Sequence, residues 1–307
     1  MQIHYTTELP IIKNAILTIG TFDGLHSGHI TIINRLKALA TQYNGSTVVV
    51  TFEPHPRTIV QPNALLQIIT TATEKEALFA SLGIDHLVIY PFTKAFASLS
   101  ATNYIEQFII GTFNPIGIVI GYDHHFGANR TGNITMLQQY ANKGAFTLVE
   151  IPAHTINNNA ISSTKIRNAL LHGDIEKANT LLGYPYFFTG IVVQGKQLGR
   201  TIGYKTANIQ IANTMKLIPG NGVYVVLVAY ANSTLQGMMN IGTRPTVEGT
   251  NRTIEVHMLH FDEEIYGEQL TITLVKRLRN EQKFDDLQAL KNQLYIDKKN
   301  TEKHFAN

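Results

Sequence analysis

Apolar residues follow two different rhythms along this chain, and the change falls near residue 183. Before it, short continuous apolar runs alternate with segments of helical period. Ala15–Ile19 reads as a buried strand, and His29–Tyr43 carries Ile30, Ile33, Leu36, Leu39 and Ala40 at helical spacing. Asn44-Gly45 stops that helix, and Ser46–Phe52 supplies the next strand. The same alternation predicts helices over Glu74–Leu82, Asn103–Ile110 and Met136–Asn142, and strands over His86–Tyr90, Ile116–Ile120 and Phe146–Ile151. Strands that are apolar throughout and alternate with helices predict a parallel sheet covered on both faces.

Beyond residue 183 the helical period nearly disappears. Phe187–Val193, Gly222–Tyr230, Leu235–Ile241, Thr253–His260 and Gln269–Leu278 are short runs rich in Val, Ile, Thr, Tyr and Phe, separated by turns. They predict a small antiparallel sheet or barrel. One amphipathic helix follows, with Asp285 as its cap and Leu287, Leu290 and Leu294 as its stripe. The expected organisation is an α/β domain, then a β domain, joined near Gly183-Tyr-Pro185.

A length of 307 residues suits two ordinary domains, and 44% hydrophobic residues argues against disorder. The 15% of charged residues is low against a typical ~25%, so Thr, Asn, Gln and Ser must build much of the surface. With no cysteine, disulfides, thiol catalysis, iron–sulfur clusters and Cys-based zinc sites are excluded. A net charge of +3 without a Lys/Arg run argues against a dedicated nucleic-acid binder. It leaves room for a small anion, which needs only a few local positive groups. The longest nearly apolar stretch, residues 222–231, is far short of the ~18–20 residues that span a bilayer. The first residues lack the basic and apolar pattern of a secretory signal. The expectation is a cytoplasmic protein with no membrane partner.

Three segments carry candidate chemistry. Gly20-Thr-Phe-Asp-Gly-Leu-His-Ser-Gly-His29 lies between the first strand and the first helix, where open α/β sheets bind ligands. Gly20 and Gly24 let the backbone approach a phosphate. His26 and His29 can face one anion as the turn enters the helix. Ile161-Ser-Ser-Thr-Lys-Ile-Arg167 offers a second helix start, with Ser163 and Thr164 as phosphate ligands and Arg167 as a counter-charge for pyrophosphate. By itself it reads more readily as a capped helix. In the β half, Gly195, Gly199 and Gly203 punctuate a loop that also holds Arg200, Thr206 and Asn208. It is no Walker loop and by itself reads as an ordinary β–β connection, yet it can wrap a nucleotide while oxygens of Thr206 and Asn208 ligate Mg²⁺. Glu255 shares a strand face with His257, opposite Ile254, Val256 and Met258. Two histidines, His257 and His260, are weak evidence for zinc without a third ligand.

Taken together, Gly20–His29 and Ile161–Arg167 resemble the superfamily of nucleotidyltransferases that join an adenylyl group from ATP to a phosphate. Thr51-Phe-Glu-Pro-His-Pro56, Gly121-Tyr-Asp-His-His-Phe-Gly127 and His172–Ala178 with Leu182-Gly183 narrow the resemblance. It becomes similar to bacterial bifunctional riboflavin kinase/FAD synthetase over nearly the whole chain. The resemblance implies a Rossmann-like α/β nucleotidyltransferase domain over 1–183 that adenylylates FMN. It implies a riboflavin kinase domain over 184–307, a small antiparallel β-barrel with a C-terminal helix. His26, His29, Ser163, Thr164 and Arg167 would hold ATP phosphates, with His26, His29 and Arg167 active in catalysis. Gly20, Thr21, Phe22, Asp23, Gly24 and Asp123 would border the nucleotide, and Phe52, Pro54 and His55 the flavin. In the kinase half, Gly199, Arg200 and Gly203 would contact ATP, Thr206 and Asn208 would serve Mg²⁺, and Glu255 would be the catalytic base. ATP, riboflavin and FMN are then the partners, and flavin is substrate and product rather than redox cofactor.

Two departures stand out. Lys205 replaces the proline of Pro-Thr-Ala-Asn, which predicts a more mobile loop, and His124-His125 replaces an aromatic followed by Arg. Two other readings stay open. One is a nucleotidyltransferase for another phosphorylated substrate with a binding-only β domain. The other is a flavin- or nucleotide-binding regulator without turnover.

Overall fold

The computed structural model describes residues 1–5, 10–63, 65–152, 161–195, 202–246 and 249–306. The chain divides into two compact units, Met1–Ser163 and Thr164–Asn307.

The first unit is built on a six-stranded sheet whose paired strands are all parallel, in the order β1-β4-β3-β2-β5-β6. The strands are β1 (Gln2–His4), β2 (Ala15–Ile19), β3 (Ser46–Glu53), β4 (His86–Pro91), β5 (Gly117–Gly121) and β6 (Thr147–Ile151). Alternation along β2 explains why it is apolar throughout. Leu17 and Ile19 enter one core with Val48, Val50, Ile118 and Ile120, while Ile16 enters another with Val49, Val119, Ile33 and Leu36. The edge strand β1 goes unread in the sequence because three residues are too few to show a period. The segment expected to be an α-helix at Asn103–Ile110 is instead a π-helix over Tyr104–Phe113, ended by Asn114 in the left-handed region (φ 41). Apolar spacing does not tell i+4 from i+5 bonding, so the sequence pattern misassigns it.

The topology locates a crevice. From β2 the chain moves outward to β3 and β4, then crosses back to place β5 on the other side of β2. The strand order therefore reverses at β2, and the carboxyl end of β2 is where such sheets bind ligands.

The second unit opens with two helices, Ser163–His172 and Ile175–Leu182, turned at Gly173 (φ 72) and ended by Gly183 (φ 84). Six strands then close a barrel in the order β10-β11-β8-β7-β12-β9. They are β7 (Phe187–Val193), β8 (Ala207–Gln210), β9 (Gly222–Tyr230), β10 (Ser233–Thr246), β11 (Gly249–Met258) and β12 (Gln269–Arg279). Sequence reading left β8 as loop, yet its four residues complete the ring and remove the exposed edges.

The terminal helix covers Leu287–Ala306. Its cap is Asp286 rather than the expected Asp285, since Oδ1 of Asp286 accepts from the Ala289 N–H at 2.7 Å. The Leu287, Leu290 and Leu294 stripe is not sealed in a core. Leu287 is exposed, and all three line a cavity against the barrel. What is buried is Asp297, whose Oδ2 lies 2.7 Å from Nη2 of Arg279 on β12, with a further bond from Gln293 at 2.9 Å. Removing one partner of such a pair costs about 3–5 kcal/mol, so it straps the helix to the barrel. No helix among the described residues is long and apolar enough to cross a membrane.

Candidate active site

The loop after β2 is fixed by its own backbone needs. Gly20 N–H donates to the Val50 carbonyl at 3.0 Å, and Gly24 takes a left-handed turn (φ 85) that favours glycine. Phe22 (φ 46) and Leu25 (φ 34) share that region with their side chains buried, a strain of about 1–3 kcal/mol each. Asp23 is buried, and its Oδ1 accepts from the N–H groups of Ile69 (2.8 Å) and Thr70 (3.1 Å). Thr70 in turn accepts from Gly24 N–H at 3.0 Å. Ser163 Oγ donates to the Asp23 carbonyl at 2.9 Å, so the structure brings Ser163 to this loop. Thr164 and Arg167 follow on the helix that belongs to the second unit.

His26 caps the first helix (Ser27–Gln42), and its ring stacks on His29 with centroids 3.7 Å apart and planes 13° from parallel. His29 meets the edge of Phe22, and Phe22 meets the edge of Phe79. Burial pushes His26 down to about 4 against the pull of Asp23, and it pushes His29 well below its ordinary value, helped by His26 and Lys75. Both rings are therefore neutral at pH 7. Nδ1 of each is buried and has no hydrogen-bond partner among the described residues.

The depressed histidine has a consequence for stability. The unfolded chain takes up a proton at about 6.5 that folded His26 refuses until about 4, so acidification through that window favours unfolding. Thermal melts from pH 7 to 4.5 should show the first unit losing stability as pH falls, and losing less of it in His26→Gln. Equal losses in both would exclude His26 as a source of the acid sensitivity.

Near the flavin candidates, Phe52 packs edge-on to Phe92 at 5.3 Å and lies 5.6 Å from Phe96, and both partners are half-buried. His55 Nδ1 accepts from Arg57 N–H at 3.1 Å and caps a short helix, with Pro54 exposed before it. Asp123 is exposed, and its charge reaches His26. His124 turns inward to lie against Phe126, whereas His125 is exposed.

In the barrel, Asn240, Glu255 and Asn208 are register partners on adjacent strands β10, β11 and β8. A cavity of about 300 Å³ opens there, lined by Thr206, Asn240, Glu255 and His257 on the barrel side and by Leu290 and Leu294 of the terminal helix. A Cβ at Gly195 would sit 2.1 Å from the Asn208 amide, so a larger residue there would push that side chain aside. Gly203 (φ 85) faces open space. Gly199 and Arg200 lie outside the described residues. Lys205 is fastened twice. Its carbonyl accepts from His257 Nδ1 at 2.8 Å, and its ammonium donates to the Asp262 carbonyl at 2.5 Å. That bond fixes the His257 tautomer, and burial lowers its pKa, so its Nε2 is a neutral acceptor. Sequence reading had no signal for Thr70, Lys75 or the Arg279–Asp297 pair, because each acts across long sequence separations.

The family pattern described as FAD synthetase matches residues 9–165, and that described as riboflavin kinase matches 182–305. A bifunctional riboflavin kinase/FMN adenylyltransferase of Buchnera aphidicola is 37% identical over 298 residues, covering 96% of this chain and 95% of its own. Those of Escherichia coli K12 (34%) and Bacillus subtilis (36%) each cover 99% of this chain, and 96% and 98% of their own. Among solved structures, a Streptococcus pneumoniae chain described as a macrolide-efflux protein aligns with a TM-score of 0.88 at 31% identity, covering 96% of this chain and 95% of that one. With two family patterns in tandem and relatives of one description matched over nearly its full length, the chain belongs to the bifunctional riboflavin kinase/FMN adenylyltransferase family.

Proposed function

We infer that the chain phosphorylates riboflavin to FMN with ATP and then adenylylates FMN to FAD with release of pyrophosphate. We assign residues 184–307 to the first reaction and 1–183 to the second. The observation that carries the kinase assignment is that Glu255, the register partner of Asn208, lines an apolar cavity together with Thr206. A planar flavin suits the apolar wall, and the Glu255 carboxylate takes the proton from the riboflavin 5′-hydroxyl as that oxygen attacks the γ-phosphorus and ADP leaves. The hydroxyl of Thr206 and the amide oxygen of Asn208 are hard neutral donors, a set that suits Mg²⁺ shared with substrate phosphates. Mg²⁺ held there would supply charge neutralisation at the transferring phosphate. Gly199, Arg200 and Gly203 are assigned to the ATP phosphates.

In the first unit an FMN phosphate oxygen attacks the α-phosphorus of ATP, and pyrophosphate departs. His26 and His29 act there as neutral donors. With the proton on Nε2, only a lone pair is left at the buried Nδ1, a smaller loss than a buried N–H without an acceptor. Ser163, Thr164 and Arg167 grip the phosphates, and the backbone of Gly20–Gly24 with Asp123 borders the nucleotide. Phe52, Pro54 and His55 border the flavin, with Phe92 and Phe96 extending the aromatic surface. Use of ATP as substrate supports a cytoplasmic location, and the absence of a basic run from the sequence argues against nucleic acid as partner. Efflux, named for the Streptococcus chain, gains no support from any described helix.

The test is chromatography of riboflavin incubated with ATP, Mg²⁺ and protein, beside an FMN-fed reaction. FMN followed by FAD is expected in the first, and FAD with pyrophosphate in the second. FAD from FMN without FMN from riboflavin would reduce the barrel to a binding domain. Tight binding without either product would make the protein a regulator.

A further inference from the structure

Lys75 sits where a lysine is least comfortable. It is 5% exposed, in the first turn of the helix Ala72–Ser81, at the positive end of the helix dipole. A capping box between Thr71 and Glu74 fixes that turn, and Glu74 spends Oε2 on the Thr71 N–H at 2.8 Å. The ammonium donates to two neutral oxygens, the Thr21 carbonyl at 3.2 Å and Thr51 Oγ1 at 3.4 Å. Among the described residues no carboxylate lies within ion-pair distance of it. Burial lowers its pKa, and Asp23 and Glu53 oppose that only through the longer-range field, while Asp23 holds the Ile69 and Thr70 N–H groups. Its charge reaches His29. A buried cation without a paired anion opposes folding, so its presence beneath a ligand loop points to an anion that arrives with the ligand.

Resting on the adenylyl-transfer reading above, we propose that Lys75 is the fixed positive charge of that site, binding the ATP phosphates from beneath the Gly20–His26 loop while it holds the Thr21 carbonyl in place. The two stacked imidazoles contribute hydrogen bonds but no charge at neutral pH, so Lys75 adds a cation to a pair of neutral rings.

The experiment follows FAD formation from supplied FMN by the full chain, comparing wild type with Lys75→Gln and Lys75→Arg. KM for ATP should rise about 10- to 100-fold in Lys75→Gln, the cost of one charge-assisted contact. Inorganic tripolyphosphate and adenosine then serve as inhibitors competing with ATP. The tripolyphosphate inhibition constant should rise by the same factor in Lys75→Gln, stay within a few fold of wild type in Lys75→Arg, and leave adenosine unchanged in both. FMN formation from riboflavin should match wild type. Adenosine and tripolyphosphate weakening together would make Lys75 a mere prop for the loop and overturn the proposal, as would an unchanged KM. Wild type failing to make FAD at all would overturn the adenylyl-transfer reading itself, and the proposal with it.

Discussion

Glu255→Gln should lower the rate of FMN formation from riboflavin by roughly 10²–10⁴-fold, the contribution of a positioned general base. Glutamine keeps the shape and the strand register with Asn208 and Asn240, so the cavity should still take up riboflavin with little change in affinity. FAD formation from supplied FMN should continue at the wild-type rate, because its residues lie outside this cavity. Both rates are read on one preparation, which controls for folding. Kinase turnover that survives the substitution would take Glu255 out of the chemistry and leave it as a wall of the cavity.

The converse loss is expected at the other site. His29→Ala should lower adenylylation of FMN by roughly 10²–10³-fold, the usual cost of one donor aimed at charge that develops in the transition state. FMN formation should be untouched. Because His29 stacks on His26 at 3.7 Å, the substitution also releases its neighbour, and the double alanine variant should be little worse than the single one. Multiplying losses would mean that the two rings act independently. If both reactions fell together, the two sites would not be separate.

Much of this arrangement was legible before the structure, and the reason is local. The strand, glycine turn and histidines of 15–29 occupy one stretch of chain, so periodicity and turn chemistry place them together. Glu255 was legible to the extent that a two-residue period separates it from Ile254 and Val256. That its face lines a cavity was not legible, because the opposite wall comes from Leu290 and Leu294 some thirty-five residues later. Lys75 illustrates the limit most clearly. The sequence predicts only a helix over Glu74–Leu82 there, with nothing to mark Lys75 as turned inward. Only the packing of that helix under Thr21 and Thr51 turns the ammonium inward. The short strand β8 and the edge strand β1 escaped for a related reason, since pairing with distant partners defines them.

The strap between Arg279 and Asp297 bears on the order in which the molecule matures during synthesis. Every strand of the parallel sheet has been made by residue 151, so the first unit's sheet can close while the barrel is still unmade. The barrel cavity, by contrast, has its far wall on a helix that leaves the ribosome after all six barrel strands. At about 5–20 residues per second, the interval between residues 163 and 297 lasts roughly 7–27 seconds. A nascent chain thus has the parallel sheet complete well before the barrel cavity gains its far wall. A stalled or truncated product lacking the helix would leave the apolar barrel wall bare, a surface suited to capture by chaperones or to clumping with its like.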